Sequence, residues 1–197
     1  MYEARNSIYC YEGTNTLVNK LNIKDSKLLE EYEKATVALK LLSLQKQGIS
    51  GNFDITHFSN IHKFLFDEIY LFAGLFRAEN IAKDNFRFAE WEYIENELIK
   101  LLDKLKEENY LQNLDKHTLA EKLAYYIAEL NVLHPFREGN GRTTREFIRQ
   151  LALKNNYYLN FNSVSSIELL NASIKSVIDT TDLANIIFKC LEKIKQD

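Results

Sequence analysis

The sequence predicts an all-α fold, a compact bundle of about seven helices with a short β-hairpin between the second and third. Three observations lead to this prediction. Apolar residues recur at spacings of three and four along most of the 197 residues, and most glycines and the single proline fall between these runs. Only one segment has the alternation of a strand. We expect a single domain, 1–197, with a core at about 25–160, on which segment 1–24 and helices within 161–197 pack.

The helices are predicted in order from their apolar periodicity and stop signals. The first has an apolar face at helical spacing, and the second is followed by Gly74. Pro135 disfavours a helical conformation for the residue before it, so the fourth helix should end at Leu133 or His134. The fifth is expected to start after Gly141. The predicted face of the first helix consists of Leu28, Leu29, Tyr32, Ala35, Leu39 and Leu42, and the predicted helical runs are 25–47, 56–72, 91–105, 119–130, the run after Gly141, 164–178 and 181–195.

The segment 76–88, FRAENIAKDNFRF, is the part of the chain that does not follow a helical pattern. Its first half alternates loosely, and Lys83, Asp84 and Asn85 are typical turn residues. A short hairpin is therefore predicted between the second and third helices.

Composition narrows the class of function. With 25 Lys and Arg against 28 Asp and Glu, the net charge of −3 provides no broad basic surface for direct nucleic-acid binding. Cys10 and Cys190 have no ligand spacing, which favours reduced core thiols. No apolar run approaches the roughly 20 residues needed to span a bilayer. We therefore expect a cytoplasmic protein with no membrane partner.

The stretch 131–147, NVLHPFREGNGRTTREF, concentrates residues that the rest of the chain uses sparingly. It contains Pro135, Gly139 and Gly141. Glycines let the backbone approach a ligand without a Cβ in the way. A glycine-rich loop that leads into a helix points free N–H groups and the positive end of the helix dipole at one place. The stretch therefore predicts an anion site.

Charged side chains around this loop indicate phosphate chemistry. At 100° per residue, Arg142, Arg145 and Arg149 lie within about 60° of one another, opposite an apolar face. Guanidinium groups match phosphate by bidentate geometry. Glu138 is a candidate Mg²⁺ ligand, because Mg²⁺ takes one or two carboxylates together with substrate phosphates. His134 is a candidate base. Together these groups suit nucleotidyl or phosphoryl transfer.

Residues 134–145, HPFREGNGRTTR, match the HxFx(D/E)GNGRxxR signature of the Fic family without departure, and the chain resembles that family over most of its length. YEGTNTLVNKL and IHKFLFDEIYLFAGLFR are similar to further segments of it. The resemblance implies the activity of most members, which transfer AMP from ATP to hydroxyl side chains of proteins.

The resemblance also implies a role for each matching residue. His134 would deprotonate the target hydroxyl, which attacks the α-phosphate of ATP, and pyrophosphate would leave. Glu138 would hold Mg²⁺, while Phe136 would anchor the loop. The hairpin would act as a flap that docks the target protein through its main chain. The nucleotide-binding residues implied in this way are Gly139, Asn140, Gly141, Arg142 and Arg145, and those of the flap are Ile81, Ala82, Lys83, Asp84, Asn85 and Phe86.

Many family members are inhibited by a helix with the motif (S/T)xxxE(G/N), whose glutamate pairs with the second arginine. SKLLEE at 26–31 lacks the final Gly or Asn, and SLQKQG at 43–48 has Gln47 in place of the glutamate. The resemblance therefore suggests that a separate small antitoxin chain supplies the inhibitory glutamate.

Two alternatives to adenylyl transfer stay open. One is a related transfer from a nucleotide, either of another nucleotidyl group or of the γ-phosphate; the other is a catalytically idle helical module that binds proteins. The remaining histidines, His57, His62 and His117, have no metal-ligand spacing and are expected to be structural.

Overall fold

The computed structural model describes residues 7–83 and 86–195, and the tip of the predicted hairpin, Asp84 and Asn85, lies outside them. Within these ranges there are seven α-helices and four short strands, which confirms the predicted helical bundle with a hairpin. The helices are α1 (Ser26–Gln47), α2 (Ile55–Phe66), α3 (Ile94–Glu107), α4 (Lys116–Leu133), α5 (Asn140–Lys154), α6 (Ser166–Lys175) and α7 (Thr181–Cys190). The strands are β1 (Ala82–Lys83), β2 (Phe86–Arg87), β3 (Tyr157–Leu159) and β4 (Leu191–Lys193).

Aspartate side chains begin three of these helices. Asp25, Asp54 and Asp115 each accept hydrogen bonds from backbone N–H groups in the first turn of α1, α2 and α4. Such bonds satisfy donors that have no partner inside the helix. They explain why α1 begins where the sequence predicts it.

The buried face of α1 differs from the one that its periodicity suggests. Most of the predicted face is exposed, and Leu39 is 69% exposed. The buried stripe is formed instead by Leu29, Glu33, Val37 and Leu44. A carboxylate therefore lies on the core side of this helix.

The predicted end of the second helix is wrong. Helix α2 ends at Phe66 and not at Phe72. Lys20 binds two of the carbonyls that would continue it, because its N–H donates to the Ile69 carbonyl at 2.8 Å and its Nζ donates to the Asp67 carbonyl. The contact with the N-terminal segment replaces the last helical turn.

The predicted start of the fifth helix is also wrong by two residues. Helix α5 starts at Asn140, so Gly141 lies inside it. The left-handed turn that precedes the helix falls at Gly139, which is the residue before Asn140.

The two C-terminal helices are shorter than predicted. At the end of α6, the Ser176 hydroxyl donates to the Ser173 carbonyl at 2.8 Å and competes for that acceptor. After Cys190 the chain leaves α7 and forms β4, which pairs antiparallel with β3. Leu159 lies opposite Leu191 in this pairing. This second two-stranded sheet was not predicted.

The core is a continuous cluster of buried apolar side chains from all seven helices. Helix α4 lies near its centre, with many of its side chains buried, and packs against α5 and α7. Helix α2 packs on α5 from another direction. The junction between α4 and α5, which contains the predicted site, is therefore held by helices on several sides.

Cys10 and Cys190 are free thiols, as predicted, with Cys190 buried and Cys10 half-buried against the core. In the described part of the chain, no helix has both the length and the apolar character that crossing a bilayer requires.

Candidate active site

The site is built on the junction between α4 and α5. Helix α4 ends at Leu133, and the N–H of His134 donates to the Leu130 carbonyl at 3.0 Å as its cap. His134 has left-handed backbone angles, φ 47° and ψ 59°. Residues 135–139 then form a short loop, and α5 begins at Asn140. The chain turns here as Pro135 predicts, and the left-handed backbone of His134 is a feature that the sequence did not predict.

The imidazole of His134 is held in one tautomer. Its Nδ1 lies 3.1 Å from the Asn131 carbonyl, which can only accept, so Nδ1 carries the proton and Nε2 carries the lone pair. The ring of Phe88 stacks on it with centroids 3.9 Å apart, and His134 is only 9% exposed. Burial, together with the charges of Arg77 and Lys83, lowers the pKa of His134 to about 3. The imidazole is therefore neutral at physiological pH.

Phe136 anchors the loop in the core. It is fully buried, and its ring stacks on His62 at 3.7 Å between centroids and on Phe58 at 5.5 Å. The side chain of Asn140 closes the loop, because its Oδ1 accepts from the Phe136 N–H at 2.8 Å and its Nδ2 donates to the Phe136 carbonyl at 2.7 Å. With its amide engaged in this way, Asn140 has its main chain left to offer a ligand.

His62 supports the same loop from α2. Its Nδ1 accepts from the N–H of Gly74 at 2.8 Å, so its Nε2 carries the proton and donates to the Glu138 carbonyl at 3.0 Å. Burial lowers the pKa of His62 to about 3, which keeps this ring neutral. His62 therefore fixes the backbone of Glu138.

Gly139 lies where the loop passes close to the end of α2. It has φ +80°, and a Cβ at this position would lie 2.3 Å from the ring of Phe66. Gly141 lies inside α5, and a Cβ there would meet the Arg145 guanidinium at 3.2 Å. Of these two glycines, Gly139 alone has a left-handed conformation, while both allow a close approach to the start of α5.

The three arginines of α5 have different partners. Arg142 donates from Nη2 to Glu33 at 2.6 Å and lies 3.6 Å from Glu138. Arg149 forms a bidentate pair with Glu146, both bonds at 2.8 Å. Arg145 is exposed, and across the described ranges no carboxylate lies within ion-pair distance of it. Arg145 is therefore the member of this row whose guanidinium has no counter-charge there.

Solvent reaches the side chain of Arg145, but protein atoms around the cleft still remove part of the water from its guanidinium. This partial desolvation lowers the pKa of Arg145, and the nearby charge of Arg142 lowers it further. An arginine stays charged despite such shifts. Two adjacent positive groups, one without a counter-charge in the described ranges, favour the binding of a polyanion.

Glu138 suits a shared metal site and not a closed protein cage. Its side chain is 29% exposed, and one of its oxygens accepts from the N–H of Gly139 at 2.9 Å. Burial and the charge of Glu33 raise its pKa, so a nearby cation would relieve an unfavourable environment. In residues 7–83 and 86–195 no cluster of three His, Cys, Asp or Glu side chains could hold a metal. A single carboxylate fits Mg²⁺ completed by phosphates and water.

The predicted flap lies beside His134. Strands β1 and β2 pair with Ala82 opposite Arg87 and Lys83 opposite Phe86. Among the predicted flap residues, Ile81 is buried, Ala82 and Phe86 are half-buried, and Lys83 is exposed.

Arg77 joins the base of this hairpin to the end of α4. It is buried, and its guanidinium donates to the carbonyls of Glu79 at 2.7 Å, Ala89 at 2.5 Å and His134 at 2.8 Å. The flanks of the hairpin are therefore tied to the backbone of the candidate base. Burial lowers the pKa of Arg77 to about 10, which leaves it charged at neutral pH.

Sequence reasoning missed the roles of Glu33, Tyr70 and Arg77. Glu33 accepts from Arg142 through one oxygen and from the Tyr70 hydroxyl through the other. A signal for Glu33 exists, because it lies four residues from apolar neighbours on both sides, which places an acidic residue on an apolar stripe of α1. Arg77 has no comparable signal in its own segment.

Neither incomplete inhibitory motif reaches the arginines. Glu30, from the first motif, pairs with Lys34 at 2.6 Å on the exposed side of α1. Gln47, from the second, is an exposed residue at the end of α1. The described part of the chain therefore shows no glutamate of either motif at Arg145.

A scan against family models matches residues 52–152 to the Fic/DOC family. This range contains α2 to α4, the flap and nearly all of α5, including the signature at 134–145. Together with the relatives described next, the match shows that the chain belongs to the Fic/DOC family, as the signature at 134–145 predicts.

Similar curated proteins are named protein adenylyltransferases, a class of nucleotidyltransferase. The chain is 40% identical over 188 residues to protein adenylyltransferase VbhT from Bartonella schoenbuchensis, covering 95% of this chain and 39% of that protein. It is 35% identical to the probable protein adenylyltransferase Fic from Escherichia coli, covering 79% of this chain and 77% of that protein. The chain thus spans less than half of the first relative and most of the second. These relatives place it among the nucleotidyltransferases.

Solved structures agree with the fold over nearly the whole chain. The BepC protein of Bartonella tribocorum, with bound AMPPNP, superposes with a TM-score of 0.89 at 26% identity, covering 95% of this chain and 97% of that one. The N-terminal Fic domain of a Bartonella quintana cell filamentation protein, with bound ADP, has a TM-score of 0.90 at 26% identity and covers 95% of each chain.

Proposed function

We propose that the chain transfers AMP from ATP to a hydroxyl side chain of a target protein and releases pyrophosphate. One observation carries this proposal: the guanidinium of Arg145 has no counter-charge in the described ranges. It lies next to Arg142, at the start of the helix that follows His134. A neutral imidazole beside a positively charged cleft suits a reaction in which a hydroxyl attacks a phosphate. The adenylyltransferase relatives and the nucleotide-bound neighbours support ATP as the donor.

In the proposed mechanism, His134 acts as the general base. Its Nε2 takes the proton of the target hydroxyl while the hydroxyl oxygen forms a bond to the α-phosphorus. The bond between the α-phosphorus and the bridging oxygen breaks, and pyrophosphate leaves with the electron pair. Because the pKa of His134 is low in this structure, the base form is fully populated at neutral pH. The negative charge of a bound nucleotide would raise its basicity.

The remaining loop residues bind and orient the nucleotide in this proposal. Arg142 and Arg145 hold the β- and γ-phosphates, and the main chain of Gly139, Asn140 and Gly141 faces the phosphates at the start of α5. The loop carboxylate at position 138 is the group that would hold Mg²⁺. When bound, this ion would neutralise phosphate charge.

The flap, residues 81–86, docks the target segment in this proposal. A two-stranded hairpin offers main-chain groups to an extended peptide, which is a known docking mode. The link from Arg77 to both flanks of the hairpin and to the His134 carbonyl supports this role, because it keeps the docked hydroxyl in register with the base.

We also propose that a separate small antitoxin chain supplies the inhibitory glutamate. The support is the pairing of Glu30 with Lys34, together with the lack of a carboxylate at Arg145 within the described ranges. In this proposal the purified chain is active without its partner.

A labelling experiment tests these proposals. The purified chain, Mg²⁺ and a bacterial lysate are incubated with ATP labelled at the α- or the γ-phosphate. We expect protein labelling from the α-label alone, and a loss of about 10²–10⁴ in rate for His134→Ala, because the base is removed.

The other outcomes each contradict one part of the proposal. Labelling from the γ-phosphate alone indicates phosphoryl transfer, and no labelling of lysate or enzyme indicates a binding module. Undiminished labelling by His134→Ala contradicts the role of His134. If the purified chain is inactive and becomes active after truncation of a terminus, the proposal of a separate inhibitory chain is contradicted.

A further inference from the structure

We propose that Glu33 is a positioning residue that holds the guanidinium of Arg142 in place for the nucleotide phosphates. This inference rests on the proposed function, in which Arg142 is a phosphate ligand. Oε1 of Glu33 accepts from Nη2 of Arg142 at 2.6 Å, and the two residues are 109 positions apart in the sequence. The contact therefore joins α1 to the phosphate-binding end of α5.

Glu33 is itself held firmly. It is 8% exposed and lies on the buried stripe of α1 with Leu29 and Val37. Its second oxygen accepts from the hydroxyl of Tyr70, whose ring stacks on Phe72 with centroids 4.6 Å apart. With both oxygens bonded, the carboxylate cannot swing into the cleft without breaking a buried hydrogen bond.

The geometry leaves part of Arg142 available for a ligand. The ring of Phe66 covers one face of the guanidinium at 4.8 Å. Glu33 takes the Nη2 end, whereas a guanidinium has five N–H donors in a fixed fork. A guanidinium held at one end and on one face can present its remaining donors to phosphate with little loss of side-chain freedom.

The opposite interpretation is that Glu33 competes with the phosphates for Arg142. A competing carboxylate must leave Arg142 when nucleotide binds, which would leave a buried charge without its partner. The bond from Tyr70 and the burial of Glu33 favour a fixed support over such a competitor. The two interpretations predict opposite changes in nucleotide affinity, so experiment can separate them.

The test compares Glu33→Ala, Glu33→Gln and, as the matched control, Glu30→Ala on the exposed side of the same helix. The dissociation constant for AMPPNP with Mg²⁺ is measured by calorimetry, and KM and kcat for ATP in the labelling assay. We expect Glu33→Ala to weaken nucleotide binding about tenfold, the size typical of a charge-assisted hydrogen bond. KM should rise similarly while kcat changes by less than about threefold, because Arg142 binds ground and transition states alike. Glu30→Ala should leave both constants unchanged.

Rescue by the conservative variant separates positioning from a general structural role. In Glu33→Gln the amide oxygen can still accept from Arg142 and the amide nitrogen can donate to the Tyr70 hydroxyl, so its affinity should stay within about threefold of wild type. Tyr70→Phe keeps the ring and frees one Glu33 oxygen, and it should weaken binding about threefold. This variant provides the test where Glu33→Ala does not fold.

Three outcomes overturn the inference. Unchanged affinity in Glu33→Ala and Tyr70→Phe shows that Arg142 needs no support, and tighter binding shows that Glu33 competes with phosphate. Equal weakening in Glu33→Ala and Glu33→Gln shows that its hydrogen bonds do not position Arg142. Because AMPPNP affinity needs no transfer, a wild type that binds nucleotide but labels nothing contradicts the proposed function and still leaves the role of Glu33 measurable.

Discussion

At the scale of single residues, Arg145 and Arg149 show why identical side chains on one helix face differ in what they can do. Arg149 already has a bidentate partner in Glu146, which is itself buried. Arg145 has no such partner in the described part of the chain. The sequence places both on one face, and only the structure shows which one is available.

We expect Arg145→Ala to weaken binding of AMPPNP with Mg²⁺ about tenfold or more, because a charge-assisted phosphate contact is lost. Arg149→Ala should leave that affinity unchanged. It should instead lower the free energy of unfolding by about 2–3 kcal/mol, because the buried carboxylate of Glu146 loses the guanidinium of Arg149 as its partner. Calorimetry and urea unfolding of both variants measure the two effects. Similar nucleotide affinity for the two variants would contradict the assignment.

Most of the candidate site could be predicted at this scale because its residues are contiguous. The candidate base, the buried aromatic residue, the carboxylate and both arginines proposed to bind phosphate lie within residues 134–145. Glu33, Tyr70 and Arg77 come from distant parts of the chain, and their contacts depend on how α1, α2 and the hairpin pack. Sequence spacing places Glu33 on an apolar stripe but does not show which distant residues it contacts, so these roles were missed.

At the scale of elements, the start of α5 depends on two glycines for different reasons. Gly139 has φ +80° and faces the ring of Phe66, whereas Gly141 lies inside the helix and faces the flexible end of Arg145. A Cβ is therefore strained at the first position and tolerated at the second.

We expect Gly139→Ala to lower the free energy of unfolding by about 2–4 kcal/mol, from the left-handed backbone and the overlap with Phe66. Gly141→Ala should be neutral or more stable by up to about 1 kcal/mol, since alanine favours a helix. Urea unfolding of the two variants provides the comparison. Equal stability would show that the loop can relax away from Phe66.

Helix existence could be predicted better than helix ends. Periodicity identified seven helices because apolar residues recur at helical spacing in each, although α6 buries only Ala172. The end of α7 could not be predicted, because residues 191–193 pair with β3 and the pairing outweighs the local helical pattern. The face of α1 was wrong for a related reason, since the deeper stripe contains Glu33, whose hydrogen-bond partners Arg142 and Tyr70 come from other parts of the chain.

At the scale of the whole molecule, buried neutral histidines link stability to pH. Burial lowers the pKa of His62 and of His134 to about 3 in the folded protein, against about 6.5 in an unfolded chain. Between these values the unfolded state binds more protons than the folded state. The contribution of these histidines to the free energy of unfolding must therefore fall as pH decreases below about 6.5.

We expect the free energy of unfolding to decrease by up to about 1.4 kcal/mol for each unit that the pH falls below about 6.5, for each of these histidines. Urea unfolding at pH 7.5, 6.5 and 5.5 measures it. The raised pKa of Glu138 makes its own contribution to the free energy of unfolding increase as the pH falls, which opposes the histidine effect. The comparison between variants therefore identifies the part that comes from a histidine. His62→Gln should reduce the slope, whereas His117→Gln, which alters an exposed ring, should not. An unchanged slope in His62→Gln would contradict the neutral, buried state of that ring.

The left-handed backbone of His134 determines which replacement isolates its chemistry. At φ 47° an alanine is strained by roughly 1–2 kcal/mol, so His134→Ala combines the loss of an imidazole with a distorted helix end. Asparagine adopts this conformation more readily than most other non-glycine residues. His134→Asn should therefore keep the loop in place and still remove the base, which makes it the cleaner inactive form for capturing a target protein with its nucleotide bound.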